Sequence, residues 1–315
     1  MNTASLSQQQ HEALARLRPF ATTNESLAPY TTYKVGGTAL AFASPRNDDE
    51  LNLVAEVVRD TGLPTLVVGR GSNLLVADRG FPGIAISLAT MAEWVRFEDV
   101  DVYAGASMAL PVLARRSVAA GLLGFEWAVG VPGSVGGAVR MNAGGHGSDM
   151  AASLVGVHLL DLRTACRAWV AAEQLGLRFR GSDIRDDQIV VDAQLLLQHG
   201  DTEAAEATLS EIVRWRREHQ PGGQNAGSVF VNPIPGELAA AELIDKLKLR
   251  GFRIGGATVS EKHANFIQAS ENCTAADVRA VIEHVRIEVR RVTGIELRSE
   301  VTLVGFETPS VNDVT

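Results

Sequence analysis

"GVPGSVGGAVRMNAGGHG", residues 130–147, carries seven glycines in eighteen positions and no acidic residue. Glycine loses more backbone freedom on folding than any other residue, and a stretch this bare cannot build a core. The rest of the chain carries excess acid, a formal charge of −8 over 315 residues. Bare backbone in an acidic chain reads as a segment that something negatively charged approaches closely. Pro132 fixes one end. Gly133, Ser134, Gly136 and Gly137 can line up N–H donors with no Cβ to keep a diphosphate away, and Arg140 and Asn142 add side-chain donors. A glycine-rich lid with no ligand is the plainer alternative.

A second glycine stretch, "LVVGRGSNLLV" (66–76), opens as a strand followed by Gly69-x-Gly71. A dinucleotide fingerprint needs a third glycine and a helix; position 74 is Leu and the residues after it favour strand or turn. The better reading is a tight turn whose N–H groups, with the Ser72 hydroxyl and the Asn73 amide, face a phosphate or a ring edge. A simple hairpin turn is the competing reading. Two such loops about 60 residues apart suggest a ligand with a diphosphate and a large flat group.

Length predicts two or three domains. A hydrophobic content of 46% and a charged content of 21% fit an ordinary globular chain. The negative charge argues against nucleic acid or an anionic membrane as partner. Two cysteines without paired spacing, Cys166 and Cys273, exclude a disulfide framework and a Cys-based zinc site and suit a reducing cytoplasm. The first residues lack the apolar core of a secretory signal, no run of about 18 apolar residues exists, and no histidine pair has metal-ligand spacing.

Periodicity predicts helices over 48–62, over 107–121 with Ser107 as cap, over 207–219, and over 274–294, where Thr274 and Asp277 have capping-box spacing. Strands are expected at 65–69, 83–88, in "LVGVHLLDL" and "QIVVDAQLLLQ", and at 297–306. Short helices between runs of strands read as α+β. Residues 245–266 concentrate Lys246, Lys248, Arg250, Arg253, Lys262 and His263, a second anion site or a solvated face; Lys262 and His263, after a Gly-Gly turn, are the more committed. Ser228 follows a glycine, Asn232 precedes a proline, Arg180 lies in a strand-like run and Glu300 near the end. Each alone reads as an ordinary turn or surface residue, and spacing does not bring them together.

These stretches together resemble the UDP-N-acetylenolpyruvoylglucosamine reductase (MurB) family. The resemblance runs from about residue 24 to 306 and rests on "YTTYKVGGTA", "GRGSNLLV", "GVPGSVGGAVRMNAGGHG", "FRGS", "AGSVFVNP", "GGATVSEKHANFIQ" and "SEVTLVG", in that order. The 48 residues from Arg180 to Ser228 resemble the family's type II branch, which lacks a substrate-capping insertion.

The resemblance implies a PCMH-type FAD-binding fold of two α+β lobes followed by a C-terminal α+β substrate-binding domain. The division it predicts is a leader over 1–20, lobes over 21–88 and 89–204, a substrate domain over 205–306 and a tail over 307–315. It implies FAD, bound non-covalently in the two glycine loops, NADPH as reductant, and a nucleotide-sugar enol ether that receives hydride at C3 and a proton at C2. Arg180 matches the family's arginine, which steadies charge spreading toward the substrate carboxylate. Ser228 matches the proton donor, whose weak acidity needs neighbouring cations. Glu300 matches the glutamate that assists enolate formation, as a protonated hydrogen-bond donor. Asn232, Lys262 and His263 fall in motifs that hold the nucleotide sugar, and Arg216 is placed at the flavin. A cytoplasmic monomer is expected.

Three positions depart from the pattern. Phe179 stands where the family has Tyr, Val231 where it has Lys, and "GGHG" where "GAYG" is commoner. Gly144-Gly145-His146 also looks locally like the histidine context through which some oxidases of this fold attach FAD covalently. A flavin oxidase acting on a sugar or hydroxy acid is therefore the alternative.

Overall fold

The chain is described from a computed structural model, which covers residues 6–234 and 236–307. Where the sequence supplies capping chemistry, the helices begin and end there. Helix α1 (Gln8–Leu17) starts at a capping box in which the Ser7 hydroxyl accepts from the Gln10 N–H at 3.2 Å and Gln10 accepts from the Ser7 N–H at 2.8 Å. Ala13 and Leu17 are fully buried, so this helix packs into the first unit's core. Helix α2 (Asp48–Thr61) begins where the Asn47 side chain accepts from the Glu50 N–H at 2.9 Å, and ends at Gly62 in the left-handed region.

Helix α3 (Leu110–Ala119) starts three residues later than expected. The Ser107 N–H bonds to the Ala92 carbonyl at 3.0 Å, and Pro111, whose φ is already helical, opens the first turn instead. The glycine-rich stretch is not loop throughout, because it contains a seven-residue helix α4 (Val135–Met141). Helices α5 (Thr202–His219), α6 (Ala240–Lys246) and α7 (Ala275–Thr293) follow. In α7, Thr274 and Asp277 form the capping box, and Val278, Val281, Ile282, Val285 and Val289 are buried along one stripe, as the 3.6-residue period predicts.

The chain divides into two compact units. The first takes the chain up to Glu25, Leu40–Gly71 and Gly83–Gln220; the second takes Ser26–Ala39, Ser72–Pro82 and everything from Pro221 onward. The expected second FAD lobe thus falls wholly in the first unit, and the expected first lobe falls there except for residues 26–39 and 72–82. Helix α5 belongs to it rather than opening the C-terminal domain, because Ala205, Leu209 and Ile212 pack into that unit's core. Conversely, Tyr33, Val35 and Leu75 pack into the core of the second unit and draw two early segments with them.

The first unit holds a five-stranded antiparallel sheet in the order Cys166–Ala171, Leu154–Asp161, Gln188–Leu196, Asp101–Gly105, Val95–Glu98. A four-stranded sheet runs Ala21–Ser26, Thr38–Ala43, Phe81–Ile86, Thr65–Val67, its last pair parallel. In the second unit, Arg253–Ile254, Ala257–Val259 and Ile267–Ala269 form an antiparallel sheet against which α7 packs. The closing strand is only Thr302–Val304, parallel to Leu74–Val76. Among the described residues, no helix is long and apolar enough to cross a membrane.

Val281 is fully buried in α7. Val281→Ala is expected to cost about 2 kcal/mol of stability, read as a lower denaturant midpoint for the C-terminal unit.

Candidate functional site

In the first unit the two glycine loops meet. A Cβ built on Gly69 would stand 2.6 Å from the Ser134 hydroxyl oxygen, nearer than side-chain carbons come to such an atom. Loops 65 positions apart therefore approach through bare backbone. The glycines within the second loop have separate reasons. Gly136 donates its N–H to the Ala106 carbonyl at 2.8 Å, and a Cβ there would meet the Ala106 Cβ at 3.0 Å, so packing accounts for it. Its N–H is thereby taken, which corrects its expected part in a row of diphosphate donors. Val135 likewise donates to Met108 at 2.9 Å, and these two tertiary bonds explain why a glycine-rich segment is helical here. Gly137 is exposed, its Cβ position is in ordinary contact only, and its N–H has no main-chain partner among the described residues.

Asn142 also has a different task from the one expected. It is buried and left-handed at the end of α4. Its Nδ2 donates to Asp149 at 3.1 Å and to the Arg178 carbonyl at 3.3 Å, and its Oδ1 accepts from the Ala151 N–H at 2.9 Å. The amide is spent on folding the loop, not on a diphosphate. Arg140 is likewise committed, to Asp186 and the Arg185 carbonyl.

Gly130 brings the loop onto α5. A Cβ there would lie 2.9 Å from Ile212, 3.1 Å from the His146 Nε2 and 3.2 Å from the Arg216 Cδ. Burial pulls the Arg216 guanidinium below its ordinary pKa, with no carboxylate offsetting it among the described residues. His146 occupies the turn between Gly144–Gly145 and Ser148–Asp149 and sits edge-on to Trp215 at 5.2 Å. Partial burial and then the charge of Arg216 hold its pKa low.

The FRGS motif is a tight turn closed by two main-chain bonds between Arg178 and Gly181. Arg180 has φ +57°, uncommon for a side chain of its size, and its Nη1 donates to the Gly144 carbonyl at 3.1 Å. The Phe179 ring lies 5.2 Å from its Cζ. The turn thus rests against the glycine-rich loop, and the Ser182 hydroxyl donates to the Arg140 carbonyl at 2.6 Å.

In the second unit, residues 229–231 pair with 298–300. The Glu300 N–H donates to the Val229 carbonyl at 2.8 Å, and the Val231 N–H to the Arg298 carbonyl at 2.9 Å. Ser228 and Glu300, 72 positions apart in sequence, are thereby set in one antiparallel register. Asn73 donates its side-chain N–H to the Glu300 carbonyl at 3.0 Å, so this amide holds the glutamate's backbone. Val231, where a lysine was expected, is buried. Asn232 accepts from the Ala240 N–H at 3.1 Å and so helps seat α6. The buried Ser260 hydroxyl accepts from the N–H groups of Lys262 (3.2 Å) and His263 (3.4 Å) and shapes that turn. His263 packs on Phe266 at 4.7 Å; burial first, then the charge of Arg250, keeps its pKa low. Its Nδ1 accepts from the Asn265 N–H at 3.2 Å, which puts the neutral ring's proton on Nε2. Sequence reasoning passed over Asn265 and Ser260; the signal available was a polar residue inside an otherwise apolar run, "HANFI".

The fold and the glycine cradle define a flavin-binding protein: residues 39–164 match the family described as FAD binding domain. Residues 219–304 match the C-terminal domain of UDP-N-acetylenolpyruvoylglucosamine reductase. The chain is 44% identical to the reductase of that name from Heliobacterium modesticaldum over 89% of its length and 90% of the relative's. It is 37% identical to the one from Bacillus subtilis, over 90% and 93%. The crystal structure of UDP-N-acetylenolpyruvylglucosamine reductase (MurB) from Thermus caldophilus superposes with a TM-score of 0.75 at 32% identity, covering 90% of this chain and 98% of that one. The chain belongs to the UDP-N-acetylenolpyruvoylglucosamine reductase family, which sets aside the oxidase alternative. Its residues fit FAD on two observations: the cradle at Gly69 and Ser134 that a Cβ would fill, and a half-buried guanidinium at Arg216, packed near Gly130 in the same unit.

Gly69→Ala is expected to lower flavin affinity at least about tenfold, read as visible flavin absorbance per protein after purification. Because the clash is with one hydroxyl, adding Ser134→Gly is expected to restore it. The lowered pKa values of His146 and His263 mean that the unfolded chain binds more protons than the folded one as pH falls through the ordinary histidine value near about 6.5. Stability is therefore complete above that value and lost below it. The melting temperature is expected to fall between about pH 7.5 and about pH 5.5, and to fall less in His263→Gln.

Proposed function

We propose that this protein reduces the enolpyruvyl ether of UDP-N-acetylglucosamine to UDP-N-acetylmuramate with NADPH, holding FAD non-covalently, as a cytoplasmic monomer. When bound, FAD would supply the hydride chemistry that links NADPH to C3 of the enolpyruvyl group. Gly69, Gly71, Ser72, Pro132, Gly133, Ser134 and Gly137 line the cofactor's pyrophosphate side, and Arg216 offers it a cation. Arg180 takes the substrate carboxylate. A guanidinium cannot lose its proton and meets a carboxylate in a planar fork, so it steadies the negative charge that grows there as C3 gains hydride. The Ser228 hydroxyl supplies the proton to C2, and Glu300 assists formation of the enolate. Lys262, His263 and the remaining donor of Asn232 hold the nucleotide sugar.

The observation that supports the assignment of roles is the register of 229–231 against 298–300, in which hydrogen bonds of 2.8 Å (Glu300 to Val229) and 2.9 Å (Val231 to Arg298) tie the residues that follow Ser228 to the strand that carries Glu300. The Arg180 turn adds support: a left-handed backbone tied to a carbonyl fixes its direction at a cost in strain, as groups held for chemistry do.

Ser228→Ala is expected to leave reduction of the flavin by NADPH nearly intact and to slow its reoxidation by the enol ether about 10²–10⁴-fold, the range for general acid catalysis. Stopped-flow absorbance separates the two half-reactions, and unchanged reoxidation would remove Ser228 from this role.

A further inference from the structure

We propose that Asn265 is a positioning residue for the Ser228 hydroxyl. The inference rests on Ser228 being the proton donor. Asn265 is 4% exposed, and all its main-chain and side-chain polar groups are engaged. Its Oδ1 accepts from the Phe230 N–H at 2.9 Å and its Nδ2 donates to the Phe230 carbonyl at 2.8 Å. Its own carbonyl accepts from the Val229 N–H at 2.9 Å. The side-chain amide therefore does for Phe230 what a neighbouring strand would do, offering one donor and one acceptor in a plane.

On the other edge, Val229 and Val231 are bonded to Glu300 and Arg298. The segment 229–231 after Ser228 is thus held from both sides, three of the bonds coming from Asn265. The residues before Ser228 form a turn: Gly227 has φ +75° and its N–H goes to the Asn225 side chain at 3.0 Å. A turn of that kind leaves the serine's direction to the downstream anchor. The same asparagine donates its N–H to the His263 Nδ1, so one buried residue links the serine motif to the histidine motif.

No other side chain of this length offers the same pair. Aspartate keeps the acceptor but loses the donor and sets a charge against the Phe230 carbonyl; alanine loses both. Packing alone does not require the amide, because the neighbouring Ala264, Phe266 and Ile267 are apolar and buried.

The test uses the flavin-loaded protein. Asn265→Asp is expected to slow flavin reoxidation by the enol ether at least about tenfold while reduction by NADPH changes less than about twofold. In the Ser228→Ala background the same substitution is expected to have almost no further effect on reoxidation, since it acts through the serine. Slowing of both half-reactions together, or a full additional effect without Ser228, would overturn the proposal. Should the variant not fold, amide hydrogen exchange on the unaltered protein decides. The Val229 and Phe230 amides are expected to be protected as well as the α7 core, and exchange as fast as Gly227 would overturn the clamp. If Ser228→Ala alone leaves reoxidation unchanged, the proton-donor reading fails, and exchange still reports separately on the clamp.

Discussion

A side chain at position 69 would collide with the hydroxyl of Ser134 at 2.6 Å, and the meeting of the two glycine loops depends on its absence. A serine hydroxyl can lie this close to the chain only where the residue beneath it carries no Cβ. The approach fixes the turn after the strand Thr65–Val67 against the start of α4, whose first N–H groups are taken by the Met108 and Ala106 carbonyls. The loop then continues through a saturated Asn142 to Gly144, whose carbonyl receives Arg180. One chain of contacts therefore runs from the glycine turn to the guanidinium assigned to the substrate carboxylate.

The C-terminal unit solves a different problem with different means. A serine hydroxyl is a weak acid, and its usefulness depends on where it points. The residues that follow Ser228 are held by neutral groups: main-chain pairing to 298–300 on one side and a buried amide on the other. Charge enters from a distance. His263 stays neutral because it is buried and faces the charge of Arg250, itself bonded to Asp245. In the first unit Arg216 keeps its charge without a carboxylate among the described residues. Both are local arrangements in a chain whose net charge is −8.

Ordered motifs made the family, the cofactor class and the list of candidate groups legible before any coordinates. Local chemistry also placed the ends of α2 and α7, because a cap acts within four residues of itself. Reading failed where a distant partner decided. The helix inside the glycine-rich stretch needs carbonyls from residues 106 and 108, and the late start of α3 reflects a bond from Ser107 to Ala92. Asn142 read as a ligand donor because its three partners, at 149, 151 and 178, are invisible to a pattern search.

By itself, then, the sequence determined the helical periods, the caps and the bare loops, since each follows from residue type and short-range spacing, while Arg180, Ser228 and Glu300 became candidates only through the resemblance of ordered motifs to a known family. Tertiary structure decided the assignment of α5 to the first unit, the register that sets Val229, next to Ser228, against Glu300, and the engagement of Asn73, Asn142 and Asn265. The reason is common to all of these. A buried amide or an unpaired strand edge must find a hydrogen-bond partner, and which partner it finds depends on which distant segment the fold brings within about 3 Å.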